Sequence, residues 1–148
     1  MPHEEVPLIK RLEGGDRHSI GRANDVAETA PSIETYFDGK PASLVLFEAV
    51  RAQVATLAGT TLRATKSQVA FRRRRGFAWV WRPDDYLHGR HAPLVLTIGL
   101  PRRDASPRWK EVVEPRPGRF THHLELWAPG DVDAQVAAWL AEAWAAAG

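Results

Sequence analysis

The sequence predicts an α+β fold: one domain with an antiparallel sheet of about five strands, and an N-terminal and a C-terminal helix packed on one face of it. Three observations carry this expectation. In the middle of the chain the side chains alternate with a period of two, as in Phe77, Trp79 and Trp81 against Ala78, Val80 and Arg82. On either side, the apolar residues recur at three- and four-residue steps over 41–58 and 131–147. Two amphipathic helices bracketing a run of strands bury their stripes best against one shared sheet face.

Residues 1–31 mix Pro, Gly-Gly and charges of both signs without an aromatic residue, and read as a flexible N-terminal arm before an α+β domain at 32–148. Ser32 is placed to cap a short turn from Ile33 to Phe37, which Gly39 and Pro41 close. The helix expected from Pro41 to Ala58 presents Leu44, Phe47, Val50, Val54 and Leu57, and Gly59 stops it. Strands are expected near 61–65, 67–73, 76–82, 93–100 and 119–127, with a further short one over Arg108–Val113. Leu94, Leu96, Ile98 and Leu100 alternate with Val95, Thr97 and Gly99, a pattern apolar on both faces that marks a central strand. Gly76 offers the positive φ of a tight hairpin turn between the second and third strands. Asp131 is positioned to cap the last helix, whose apolar face comprises Val132, Val136, Trp139, Leu140, Ala143 and Trp144.

At 148 residues the chain is long enough to bury a core, and it has no cysteine, which removes disulfides, thiolate metal sites and a cysteine nucleophile. It has neither the apolar core of a signal peptide nor a stretch long enough to span a bilayer, so a cytoplasmic protein without membrane association is expected. The net charge of +2 hides a segregation. Residues 61–120 hold 14 Lys/Arg against 5 Asp/Glu, a balance of +9, whereas the remainder carries −7. A concentrated positive field suits a polyanion partner.

The leading candidate chemistry is therefore a non-enzymatic module binding nucleic acid or another polyanion through Lys66, Gln68, Arg72, Arg73, Arg74, Arg75, Arg102, Arg103 and Lys110. Guanidinium forks match phosphate oxygens, and Trp79, Trp81 and Trp109 are rings able to stack on unpaired bases, which favours single strands. Tryptophan at alternating strand positions is, however, more often a core residue than a base platform, and Trp79 and Trp81 are read as core first. Few acidic partners are expected around Arg73 and Arg74, whose side chains should be exposed. The alternative is a small-molecule or metal-dependent enzyme with a pocket on the sheet, using His122 or His123 as acid or base and Lys66 and Gln68 as substrate contacts. His122 and His123 are neighbours on one strand and point to opposite faces, so they make a poor ligand pair, and one of them should be a satisfied core residue. Asp84, Asp85, His88 and His91 match no defined metal spacing. No nucleophile elbow, Walker or Rossmann glycine pattern occurs, and no cofactor is expected.

Three stretches carry a family likeness: Ser32–Pro41, Thr65–Trp81 and Arg119–Leu126. Together they resemble the bacterial family called domain of unknown function five-six-five-five, over roughly Ser32 to the end of the sequence. The resemblance implies a compact α+β domain with no assigned activity. It also marks His122 and His123 as positions that match the family pattern. Some relatives carry a Cys/His zinc-binding stretch upstream, which this chain, without cysteine, lacks.

Overall fold

In the computed structural model, which describes residues 32–85 and 89–148, the elements follow one another as two helices, six strands and a closing helix. Helix α1 spans Ile33–Tyr36 and α2 Pro41–Val54; the strands are β1 (Thr61–Ala64), β2 (Val69–Arg72), β3 (Gly76–Trp81), β4 (Leu94–Leu100), β5 (Glu111–Arg116) and β6 (Arg119–Leu126); α3 spans Ala134–Ala146. The single sheet has the order β1-β2-β3-β4-β6-β5, and every neighbouring pair is antiparallel. The antiparallel sheet is as expected, and its sixth strand is the further short one anticipated over Arg108–Val113, displaced along the chain to Glu111–Arg116. Residues 108–110 precede the ladder, and the strand runs on through Pro115 to Arg116, because a register shift beyond Val113 lets a proline sit on this edge strand. The arm expected over residues 1–31 and His88 lie outside the described residues.

One continuous core holds both long helices to one face of the sheet. Leu46, Phe47, Val50 and Val54 of α2 and Val136, Trp139, Leu140 and Ala143 of α3 meet Val69, Phe71, Ala78, Val80 and the inward residues of β4 and β6. Each fully buried side chain of Phe47 or Leu140 size contributes on the order of 2 kcal/mol of transfer free energy. Phe47, Val50 and Val54 of the expected α2 stripe are buried and Leu57 packs against the core, but Leu46 takes the place expected for Leu44, which faces solvent. Proline at the first turn of α2 begins the helix, and regular helix stops at Val54, short of the expected Ala58.

Ser32 caps α1 as expected, its Oγ accepting from the Thr35 amide at 3.0 Å. The last helix is capped differently. Asp133 accepts from the Val136 amide, while Asp131 turns back to accept from the amides of Trp127 and Ala128. Helix α3 therefore starts at Ala134.

Gly76 does not have the positive φ that a tight turn would use. Its missing side chain is what matters: a Cβ there would lie 2.8 Å from Cζ2 of Trp79, whose ring is fixed within the sheet. Gly76→Ala should therefore destabilise the fold by about 1–3 kcal/mol through overpacking. Urea unfolding of the variant checks this, and an unchanged midpoint would refute it.

Candidate nucleic-acid interface

Antiparallel pairing sends the β2–β3 turn, the end of β4 and the β5–β6 turn to the same end of the sheet. The register makes this explicit: Arg72 lies opposite Gly76, Leu100 opposite Phe120, and Arg116 opposite Arg119. Arg72 to Arg75, Arg102, Arg103, Arg116 and Arg119 thus gather at one rim. Lys66 and Gln68 do not join them, because they lie in the β1–β2 connection at the opposite end. Lys110 is also remote, next to the middle of β6, where its amide donates to the His123 carbonyl and its Nζ lies 3.7 Å from Glu125.

The C-terminal turn of α3 reaches this rim and uses the arginines. Arg73 Nη1 donates to the Trp144 carbonyl at 3.1 Å, Arg75 Nη2 to the Ala146 carbonyl at 2.8 Å, and the Arg74 amide to the Ala147 carbonyl at 3.3 Å. A helix leaves its last carbonyls unpaired and carries partial negative charge there, so these donors complete it. The Arg73 guanidinium also lies over the Trp144 ring, 3.9 Å from its centroid. Among the described residues, no carboxylate forms an ion pair with Arg73, Arg74 or Arg75, and all three are exposed.

The remaining basic residues divide. Arg102 is neutralised, reaching Glu142 with two 2.8 Å hydrogen bonds and Asp104 with another. The Glu142 hydrogen bond raises the Arg102 pKa further and lowers that of Glu142. Arg108, outside the rim, is held by Asp133, Gln135 and the Asp131 carbonyl. Arg103 is exposed, with its guanidinium 5.3 Å from the Phe120 ring centroid. A shallow cleft opens at the same end between the last turn of α3 and the sheet. Arg75 and Arg119 line it, with Gly99, Gly118, Leu100 and Ala146 among its walls.

The candidate aromatic and histidine residues are mostly interior. Trp79, Trp81 and Trp109 are buried, so none of them offers a platform to a base. Trp109 packs on Trp139 with centroids 4.1 Å apart and touches the His122 ring. His122, on the helix-covered face, has both nitrogens occupied: Nε2 accepts from the Asp104 amide at 3.0 Å and Nδ1 faces the Phe120 carbonyl at 3.2 Å. That assigns the proton to Nδ1. Burial lowers its pKa, and the neutral ring has no free nitrogen for acid–base work. Asp104 organises this corner. Burial raises its carboxyl, but hydrogen bonds from Trp109 Nε1, Arg102 and the Ser106 amide outweigh that and hold it at about 2.

His123 faces the opposite side of the sheet. Trp81 Nε1 donates to Thr97 Oγ1 at 3.2 Å, and Thr97 Oγ1 lies 2.7 Å from His123 Nδ1. Burial, together with the nearby His122, pushes the His123 pKa down to about 3. Its Nε2, Gln68 Nε2 and Trp79 Nε1 are buried and have no hydrogen-bond partner among the described residues. Gln68 and His123 thus share a face, as the enzyme alternative requires, but no histidine lines the cleft. Of the loop set, Asp84 pairs with Lys40 at 2.8 Å, and no group of three metal-ligating side chains occurs among the described residues.

The carbonyl capping by Arg73 and Arg75 was not visible in the sequence, since it depends on where a helix seventy residues away ends. Taken together, fold and site define a small α+β domain with an arginine-rich sheet end. The chain belongs to the family described as domain of unknown function (DUF5655), whose model matches residues 33–147. No curated protein and no solved structure matches it. No helix among the described residues is long and apolar enough to cross a membrane.

Proposed function

We propose that the domain is a non-enzymatic binding module for nucleic acid or a similar polyanion, which docks on the arginine rim. The observation that carries this reading is the convergence of three turns on one sheet end, where Arg73, Arg74 and Arg75 form no ion pair with a carboxylate among the described residues. Capping uses one N–H of Arg73 and one of Arg75, and a guanidinium has five. The other donors of each fork remain available to phosphate oxygens, in an orientation the helix end has already fixed.

Binding of a short oligonucleotide, followed by fluorescence anisotropy, should weaken steeply as salt rises. Arg74→Ala, which keeps the backbone hydrogen bond to the Ala147 carbonyl, should lower the slope of log K against log salt by about 0.7 for a single strand, whatever the sequence. Lys66→Ala, at the far end of the sheet, should leave the slope unchanged. No binding of any nucleic acid at low salt would end this reading.

A further inference from the structure

The face of the sheet turned away from α2 and α3 is also buried. The register sets Ala70, Trp79, Thr97 and His123 side by side across β2, β3, β4 and β6, with Trp81 and Val95 paired in the next row. Their exposures run from 0% at Ala70 and 1% at His123 to 8% at Trp79. Trp81 and Val95 form a small apolar cluster separate from the main core, and the buried apolar residues of all three helices belong to that main core. Among the described residues, then, no helix packs its apolar side on this face. A bare sheet face leaves its side chains open to water, so burial to this degree requires a second layer.

This burial arises within one copy of the chain, so the layer is supplied by the chain itself. Two stretches remain to supply it, 1–31 and 86–88. Three residues reach at most about 10 Å, less than the roughly 14 Å across four strands, and Asp84, just before them, is drawn by Lys40 toward the start of α2. Residues 1–31 have the length, and offer Val6, Leu8, Ile9, Leu12, Ile20 and Val26 for apolar contact. They also join the domain at the right margin: just beyond Ser32, the Tyr36 hydroxyl donates to the carbonyl of Ser67, the neighbour of buried Gln68. Gln68 Nε2 and Trp79 Nε1 are buried donors without an acceptor among the described residues, and the backbone carbonyls of a crossing segment are acceptors. We propose that residues 1–31 dock as a second layer on this face, crossing the Trp79–Thr97–His123 row and sealing it from water. The docked layer replaces the flexible arm that the composition of this stretch suggests.

The chain has no cysteine, so a single introduced thiol in the full-length protein reports the covering directly. Ala70→Cys lies under the proposed layer, and Ala78→Cys, equally buried, lies under the helices. Both should react slowly with an aromatic disulfide reagent, because reaction needs access to the sulfur. Replacing Leu8, Ile9, Leu12 and Ile20 together by Asp should speed the reaction of the Ala70→Cys protein roughly tenfold or more and leave that of the Ala78→Cys protein unchanged, the mark of local opening. Val95→Cys repeats the measurement at a second position of the same face. An Ala70→Cys thiol that reacts at once in the otherwise unchanged chain, or a slow rate that the four aspartates do not alter, would overturn the proposal. So would protection lost on dilution, which would give the face to a second copy, and equal acceleration at both positions, which would mean that the whole fold had opened.

Discussion

Lowering the pH from 7 to about 4.5 should weaken the fold by about 2–3 kcal/mol, and replacing His123 with Asn should remove most of that loss. The cause is the difference between the two states of the imidazole. Unfolded, it titrates near 6.5; folded, burial holds it at about 3. Because the unfolded chain binds the proton first, the contribution is fully present above pH 6.5 and is lost as pH falls toward 3, at about 1.4 kcal/mol per unit. Buried His122 acts in the same direction. The Asp104 carboxylate works in a lower window, between its ordinary range and about 2, so the histidine effect is resolved first. The Thr97 hydroxyl accepts the Trp81 indole proton and pairs with Nδ1 of the imidazole at 2.7 Å. Asn at 123 keeps a hydrogen-bonding partner for that hydroxyl and has no titration. Urea midpoints of the wild type and His123→Asn at several pH values decide the matter. Parallel pH profiles for the two would refute the assignment.

Removal of the Asp104 carboxylate should be the most damaging polar substitution, with Asp104→Ala costing about 3 kcal/mol. One oxygen accepts both the Trp109 indole N–H at 2.9 Å and the Ser106 amide at 3.1 Å, while the other pairs with Arg102 at 2.8 Å. Alanine leaves the indole N–H of buried Trp109 without an acceptor, and an unmade hydrogen bond at a buried donor costs more than the bond itself contributed. The loss extends to packing, since Trp109 lies between His122 and Trp139. Asp104→Asn retains one carbonyl oxygen and should recover more than half of the loss. Thermal and urea unfolding of both variants measures this, and an alanine variant as stable as wild type would contradict it.

Most of the architecture was legible because the period of the side chains is unambiguous where both sheet faces are apolar. β3 and β4 fall where Phe77–Trp81 and Leu94–Leu100 predict. β5 was only half legible. Its Glu111, Glu114 and Arg116 are what an edge strand shows to water, and Pro115 argues locally against a strand. Asp131 and Asp133 are equivalent as sequence signals for a cap; tertiary folding chooses between them, because Asp131 is taken by the amides at 127 and 128. Leu44 and Leu46 were likewise indistinguishable until the sheet fixed the rotation of α2. For the rim, the arginine run was plain and its partners were not. Neither the carbonyls that it caps nor the loss of Arg102 to Glu142 follows from local spacing.

The arginine run also has a consequence for the chain before it is folded. β3, Gly76–Trp81, carries no charge and ends up buried at every position, so in a nascent or partly unfolded chain it is a six-residue segment of high β-propensity able to pair with its counterpart in another copy. Arg72 to Arg75 stand immediately before it. Two such segments lying side by side would bring their arginine runs together, and like-charge repulsion acts against that contact at the moment it forms. The same four residues that crowd one end of the finished sheet thus guard an uncharged strand during synthesis.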